Sequence, residues 1–382
     1  MSMNKKRLNI MIVAGEASGD MHAAKLVDAL MASHPDAEFS FFGAAGPKMR
    51  ASGVEAIVEA DHLSIVGLTE IGRALPMFYG AFRKLRNEAL RRRPDVAILV
   101  DFPDFNLKLA KTLKKKGLKV VYYISPQLWA WRKYRIRTLR KYIDLLISIL
   151  PFEKDWYAKH GIGHVEYVGS PLAREVHASL SKVDFCTKHG IDLMKPIVSL
   201  LPGSRQAEIE RILPVLLKTA SVMLARDSSI QFLVALPPGK IEKIDERSKR
   251  SDQNIYWIEG ETFDALNSSD AAAITSGTAT LEAGIIGVPM AIVYKTSSVN
   301  YKLLRPLIDV EHFGLINLIA GKRVANELIQ DEFTPETLSA ELFRLLEPSE
   351  NARVRQELNK AADKLGHGGA SKRAAEAVLK IV

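Results

Sequence analysis

A single cysteine, Cys186, stands in a chain of 382 residues. It excludes a disulfide framework and a cysteine-based zinc site, and it fits a reducing cytoplasm. The nine histidines fall in no HExxH or other metal spacing, so no metal and no cofactor are expected. No apolar run reaches the ~18–20 residues that a membrane-spanning helix needs. The longest, Ile143–Leu150 and the proline-interrupted Ala283–Tyr294, read as buried elements. Lys5–Arg7 and Leu8–Ala14 do not read as a signal peptide, because the run leads straight into Gly15-Glu16. Aromatics are few, at 7%, but 47% hydrophobic content is ample for buried cores, and the length suggests two domains.

Acidic charge is also in deficit, leaving a net +9. The excess is clustered in the first half, at 83–93, 111–116 and 132–141. Such clusters suit a polyanionic surface, either an acidic membrane or nucleic acid. No RNA-binding signature stands out, so nucleic acid is not the expected partner. Leu68, Ile71, Leu75, Phe78 and Phe82 recur at helical spacing just before the first cluster. Beside dense Arg and Lys, this stripe reads as an interfacial foot for acyl chains, divided into two helices at Pro76. Core packing is the alternative.

Apolar strands alternate with amphipathic helices almost throughout, from Leu8–Ala14 to Met290–Tyr294. This pattern predicts an α/β fold: two Rossmann-like doubly wound domains facing a cleft. The expected boundaries are 1–170, 171–350, and a helical tail 351–382, interrupted at 366–369, that crosses back onto the first domain or a partner subunit.

Two stretches carry the most chemistry. Leu200–Glu208 and Ile274–Glu282 are apolar runs that stop at Gly203-Ser204-Arg205 and Ser276-Gly277-Thr278 before restarting as helices. Small-residue loops at helix N-termini offer bare N–H groups and a positive dipole end to a diphosphate. Arg205 adds a fixed cation, and Glu282 is one turn into its helix, where it can take ribose hydroxyls. Gly260-Glu261 follows a further strand and joins this nucleotide site. Asn317, in the apolar run 313–321, is placed to reach a phosphate or the transferred sugar. Val100-Asp101 ends a strongly apolar strand, and Asp101 is the preferred general base. Asp104 reads as a helix cap supported by Asn106. Glu16 and Ser18 lie in a turn after the first strand whose Asp20 reads as the cap of the helix that follows. Trp129 and Trp131 read as core packing, or as a sugar platform or an interfacial belt.

GEASGD at Gly15, DFPDFN at Asp101, SPQLWAWR at Ser125, LPFEK at Leu150, LPGSRQAEIE at Leu201, SGTATLE at Ser276 and NLIAGK at Asn317 occur in order. With this set the chain resembles the lipid-A-disaccharide synthases from end to end, and its SGTATLE stretch resembles the wider glycosyltransferase-B class. The resemblance implies a metal-independent inverting glycosyltransferase of the glycosyltransferase-B fold. Its substrates would be UDP-2,3-diacylglucosamine and 2,3-diacylglucosamine 1-phosphate (lipid X), joined into a β-1,6 disaccharide phosphate with release of UDP. It further implies a homodimer, peripheral on the cytoplasmic face of the inner membrane. Asp101 would be the base, with Glu16 and Ser18 near the reacting sugars. Gly203, Ser204 and Arg205 would surround the diphosphate, Ser276, Gly277, Thr278 and Glu282 the phosphate and ribose, and Asn317 would complete the site. The rival enzyme is a UDP-N-acetylglucosamine 2-epimerase or a transferase with a soluble acceptor.

Overall fold

The computed structural model describes residues 7–62, 71–245, 253–297, 310–366 and 368–382, with the backbone alone at 62 and 71–74. Leu68 lies outside the described residues, as does the Ile71 side chain. The chain divides into two compact units, Met1–Pro171 with Gly368–Val382, and Leu172–His367.

The first unit holds seven strands: β1 (Arg7–Val13), β2 (Glu38–Ala45), β3 (Glu55–Glu59), β4 (Val96–Val100), β5 (Val120–Tyr123), β6 (Leu145–Ser148) and β7 (Val165–Tyr167). They pair in parallel in the order β3-β2-β1-β4-β5-β6-β7. β4 and β5 are buried at every position, as continuous apolar runs covered on both faces require. Alternation sends Ile10, Ile12 and Ile98 to one face, against Leu26, Val27 and Leu30 of α1 (Ala17–Ser33). Met11, Val13 and Leu99 go to the other face. There they meet Leu85 of α2 (Ile71–Arg92) and Leu109 and Leu113 of α3 (Pro103–Lys114). α2 runs unbroken through Pro76, contrary to the expected division. Proline there removes a single backbone bond close to the helix start, and the apolar face that follows holds the helix to the core.

The second unit repeats the plan with β8 (Ile197–Leu201), β9 (Gln231–Leu236), β10 (Ile255–Glu259), β11 (Ala271–Thr275), β12 (Met290–Tyr294) and β13 (Asn326–Ile329), in the order β10-β9-β8-β11-β12-β13. Strand order reverses between β1 and β4 in the first sheet and between β8 and β11 in the second. At such a reversal the loops leaving the two strands diverge and leave a crevice. The edge strands β3 and β13 have mixed polarity and escape sequence reading. The helical tail is shared between the units instead of moving as one piece. α8 (Pro348–Asp363) packs within the second, while α9 (Ala370–Leu379) buries Ala374 and Val378 beside α1 in the first. Glycines 366, 368 and 369, all with φ above +70°, make the break.

Two candidate half-sites at the sheet edges

In the first unit the crevice lies between the loops after β1 and β4. Asp101 (φ +47°) and Phe102 (φ +51°) both adopt the left-handed conformation, at a cost of order 1–3 kcal/mol each for residues with a side chain. Three contacts hold this backbone. Asp101 N–H donates to Tyr123 O at 2.9 Å, and Asp101 O accepts from Tyr122 Oη at 2.6 Å and from Asn106 Nδ2 at 2.8 Å. Phe102 then lies over Gly15, where a Cβ would sit 2.4 Å from its ring, so only glycine fits. Burial, reinforced by the nearby Glu16 carboxylate, pushes the Asp101 carboxyl up to about 6. Glu16 is the exposed residue before α1, and Ser18 is exposed in its first turn.

Asp20 does not cap its own helix: its carboxylate accepts from Gly46, Lys48 and Met49 N–H at 2.9, 2.9 and 3.1 Å, capping the short helix Pro47–Ala51. Asp104 is not the cap of α3, whose preceding residue is Phe102; it pairs with Arg132 and Arg135. Asn106 does tie the turn, as its bonds to Asp101 O and Val100 O show.

In the second unit the loops after β8 and β11 line an open pocket of about 340 Å³. Gly203, Ser204 and Arg205 form one wall, and Ser276, Gly277 and Thr278 the other. α5 (Gln206–Leu224) and α6 (Ala279–Ile286) begin at these walls. The N–H groups of Gly277, Thr278 and Ala279 have no backbone acceptor among the described residues, so the N-terminus of α6 presents donors to the pocket. The Arg205 side chain is 83% exposed and pairs with Glu208 at 3.0 Å. Glu282 lines the pocket half-buried, and burial alone raises its carboxyl above the ordinary range. Thr262, rather than Gly260, reaches the wall; Gly260 (φ +75°) turns the chain beside Pro238.

Asn317 departs from expectation. It is fully buried at the start of α7 (Leu315–Ala320). Its Nδ2 donates to Ala325 O at 2.7 Å and Glu327 Oε1 at 2.9 Å, and its Oδ1 accepts from Val324 and Ala325 N–H at 2.8 and 2.9 Å. In this arrangement both amide N–H groups are engaged within the protein, with none directed to the pocket.

The Lipid-A-disaccharide synthetase family model matches residues 10–382. The chain belongs to the lipid-A-disaccharide synthase family. It is similar to the lipid-A-disaccharide synthase of Trichlorobacter lovleyi, at 41% identity over 98% of this chain and 97% of that one. The lipid-A-disaccharide synthase of Myxococcus xanthus is 42% identical over the same shares. Among solved structures, the glycosyltransferase of kitacinnamycin superposes with a TM-score of 0.66 at 15% identity, over 100% of both chains. A UDP-N-acetylglucosamine 2-epimerase from Neisseria meningitidis, bound to its UDP-sugar, gives 0.63 at 13% over 98% of this chain and 100% of that one. At these identities the likeness shows the two-domain glycosyltransferase-B fold alone.

For a member of the lipid-A-disaccharide synthase family, two further groups stand out that carried no role in the sequence. Glu153, fully buried at the head of α4 (Glu153–Lys159), accepts from Ser125 Oγ at 2.6 Å and Trp129 Nε1 at 3.0 Å. Burial pushes its carboxyl up to about 7 despite those bonds. One turn on, Tyr157 Oη donates to Pro126 O. Together they clamp the SPQLW loop, which makes Trp129 a core residue and leaves Trp131 exposed with Arg132 stacked on it at 4.1 Å. The apolar stripe of α2 also divides differently. Phe78 and Phe82 pack against Phe102 and Phe105, whereas Leu75 (61% exposed), Met77 and Tyr79 (64%) face solvent. No helix among the described residues is long and apolar enough to cross a membrane.

Proposed function

We propose that this chain transfers the diacylglucosaminyl group of UDP-2,3-diacylglucosamine to the 6-hydroxyl of 2,3-diacylglucosamine 1-phosphate, with inversion, releasing UDP. The observation that carries the chemistry is Asp101, a carboxyl held near neutrality at the carboxyl edge of a parallel sheet. Family membership over residues 10–382 carries the substrates.

In this reading the acceptor oxygen attacks C1 of the donor sugar as the bond from C1 to the diphosphate oxygen breaks, through an oxocarbenium-like state. The acceptor proton passes to Asp101, and the bonding electrons leave with UDP. A diphosphate leaving group needs donors and positive charge more than a general acid. The α6 N-terminus and Arg205 supply them, and Glu282 takes the ribose.

The membrane surface, the inner-membrane location and the homodimer belong to the same proposal. Leu75, Met77 and Tyr79 supply the apolar foot, and Arg83, over the Tyr79 ring at 5.9 Å, begins a cationic collar for anionic headgroups. Changing those three to Ser is expected to abolish co-sedimentation with phosphatidylglycerol vesicles. Unchanged binding would remove the foot. The reaction itself is tested by turnover of both lipid substrates in detergent micelles with EDTA present. UDP and a disaccharide phosphate are expected; UDP binding without product would point to a soluble acceptor.

A further inference from the structure

Ser276 lines the pocket read above as the diphosphate site, yet its hydroxyl turns inward and donates to Phe313 O at 2.8 Å. Phe313 and Gly314 form the turn that opens α7. One carboxylate takes both of that turn's N–H groups: Phe313 donates to Glu327 Oε2 and Gly314 to Oε1, each at 2.9 Å. Oε1 also accepts from Asn317 Nδ2 at 2.9 Å. Glu327 stands on β13 opposite Ile292 of β12 and is 6% exposed. A buried carboxylate is tolerated where N–H donors surround it, and replacing it by an amide sets an NH2 group against at least one of those donors. α7 meets α6 closely as well: a Cβ at Gly284 would lie 2.5 Å from Ile316 Cδ1. The turn held by Glu327 therefore sets both the loop before α6 and the body of α6, which carries Glu282.

We infer that Glu327 is a positioning residue of the nucleotide-sugar site, acting through the Phe313–Gly314 turn on Ser276 and the N-terminus of α6. The inference rests on the function proposed above. It gives Asn317 a place in the same device, as the side chain that braces Glu327 from within α7.

The test is a double-mutant cycle read by UDP titration, with KM and kcat beside it. E327Q is expected to weaken UDP binding about tenfold or more, and to raise KM for the UDP-sugar more than it lowers kcat. S276A cuts the link while leaving Glu327 in place and is expected to weaken UDP binding severalfold. In the S276A background E327Q should lose most of its effect. UDP affinity of folded E327Q within twofold of the parent, even with a lowered Tm, would reduce Glu327 to a structural role. An undiminished effect in the S276A background would overturn the route through Ser276. Should E327Q not fold, unchanged UDP binding by S276A would overturn the inference by itself. A parent chain that fails to bind UDP would bring down the functional reading first.

Discussion

In the first unit β1 and β4 lead into carboxylates, Glu16 and Asp101, whereas in the second β8 and β11 lead into Gly-Ser turns, free N–H groups and an arginine. Both pairs of strands sit at the reversal of a doubly wound sheet, so the architecture offers the same crevice twice. What differs is the backbone that follows. After β4 the chain turns left-handed at Asp101 and Phe102, bonded to Tyr122, Tyr123 and Asn106, and a carboxyl is fixed at the edge. After β11 small residues pass directly into α6, and the peptide groups themselves face the pocket. One crevice presents a carboxyl and the other presents backbone N–H groups.

That division of labour can be broken experimentally. The largest effect is expected from Asp101→Asn: kcat should fall about 10²–10⁴-fold, the usual worth of a general base. UDP affinity should be unchanged, and a matching loss of UDP binding would dissolve the comparison. Next comes Arg205→Ala. Loss of one charge-assisted contact should weaken UDP binding about ten- to a hundredfold. The acid limb of the pH–rate profile should stay where it was; movement of that limb would place Arg205 in the other half-site.

That limb itself should fall near pH 6, because the base must be ionised to act and Asp101 is held at about 6. Glu16→Gln removes a negative neighbour and should move the limb to lower pH, measured from log kcat/KM against pH. The smallest effect is on stability. Asp101 keeps its proton up to about 6 when folded but has an ordinary value of 3.8, so the folded state binds more protons between those values. Stability contributed by this group therefore falls as pH rises from about 4 to 6 and stays lowered above. Asp101→Asn should raise Tm at pH 8 by a few degrees and converge with the parent near pH 4.

Much of this plan can be read from residues adjacent in the chain. Val96–Val100 before Asp101, Ile197–Leu201 before Gly203, and Ala271–Thr275 before Ser276 announce a buried strand, a turn and a helix by composition alone. What escapes is bonding of side chains to groups distant in the chain, which leaves no periodic mark. Asp20 meets its partners 26 to 29 residues away, and Glu153 meets Ser125 and Trp129 at 28 and 24. Asn317 sits in a conspicuous apolar run, but its partner Glu327 lies in a short edge strand that nothing in the sequence distinguishes. Phe78 and Tyr79 are adjacent and equally bulky; only packing against Phe102 decides which one is half-buried and which faces solvent.

α9 follows the whole second unit in the chain and completes the first, covering α1 with Ala370, Ala374 and Val378 while Arg373 Nε donates to Val168 O at 2.8 Å. During synthesis the first unit therefore emerges with one apolar flank bare and must wait through almost two hundred further residues for its cover, while the second unit can close behind it. This helix acts as a latch that is thrown only after translation has passed the second unit, and a nascent chain that stalls before it would leave that flank open to chaperones or to neighbouring chains.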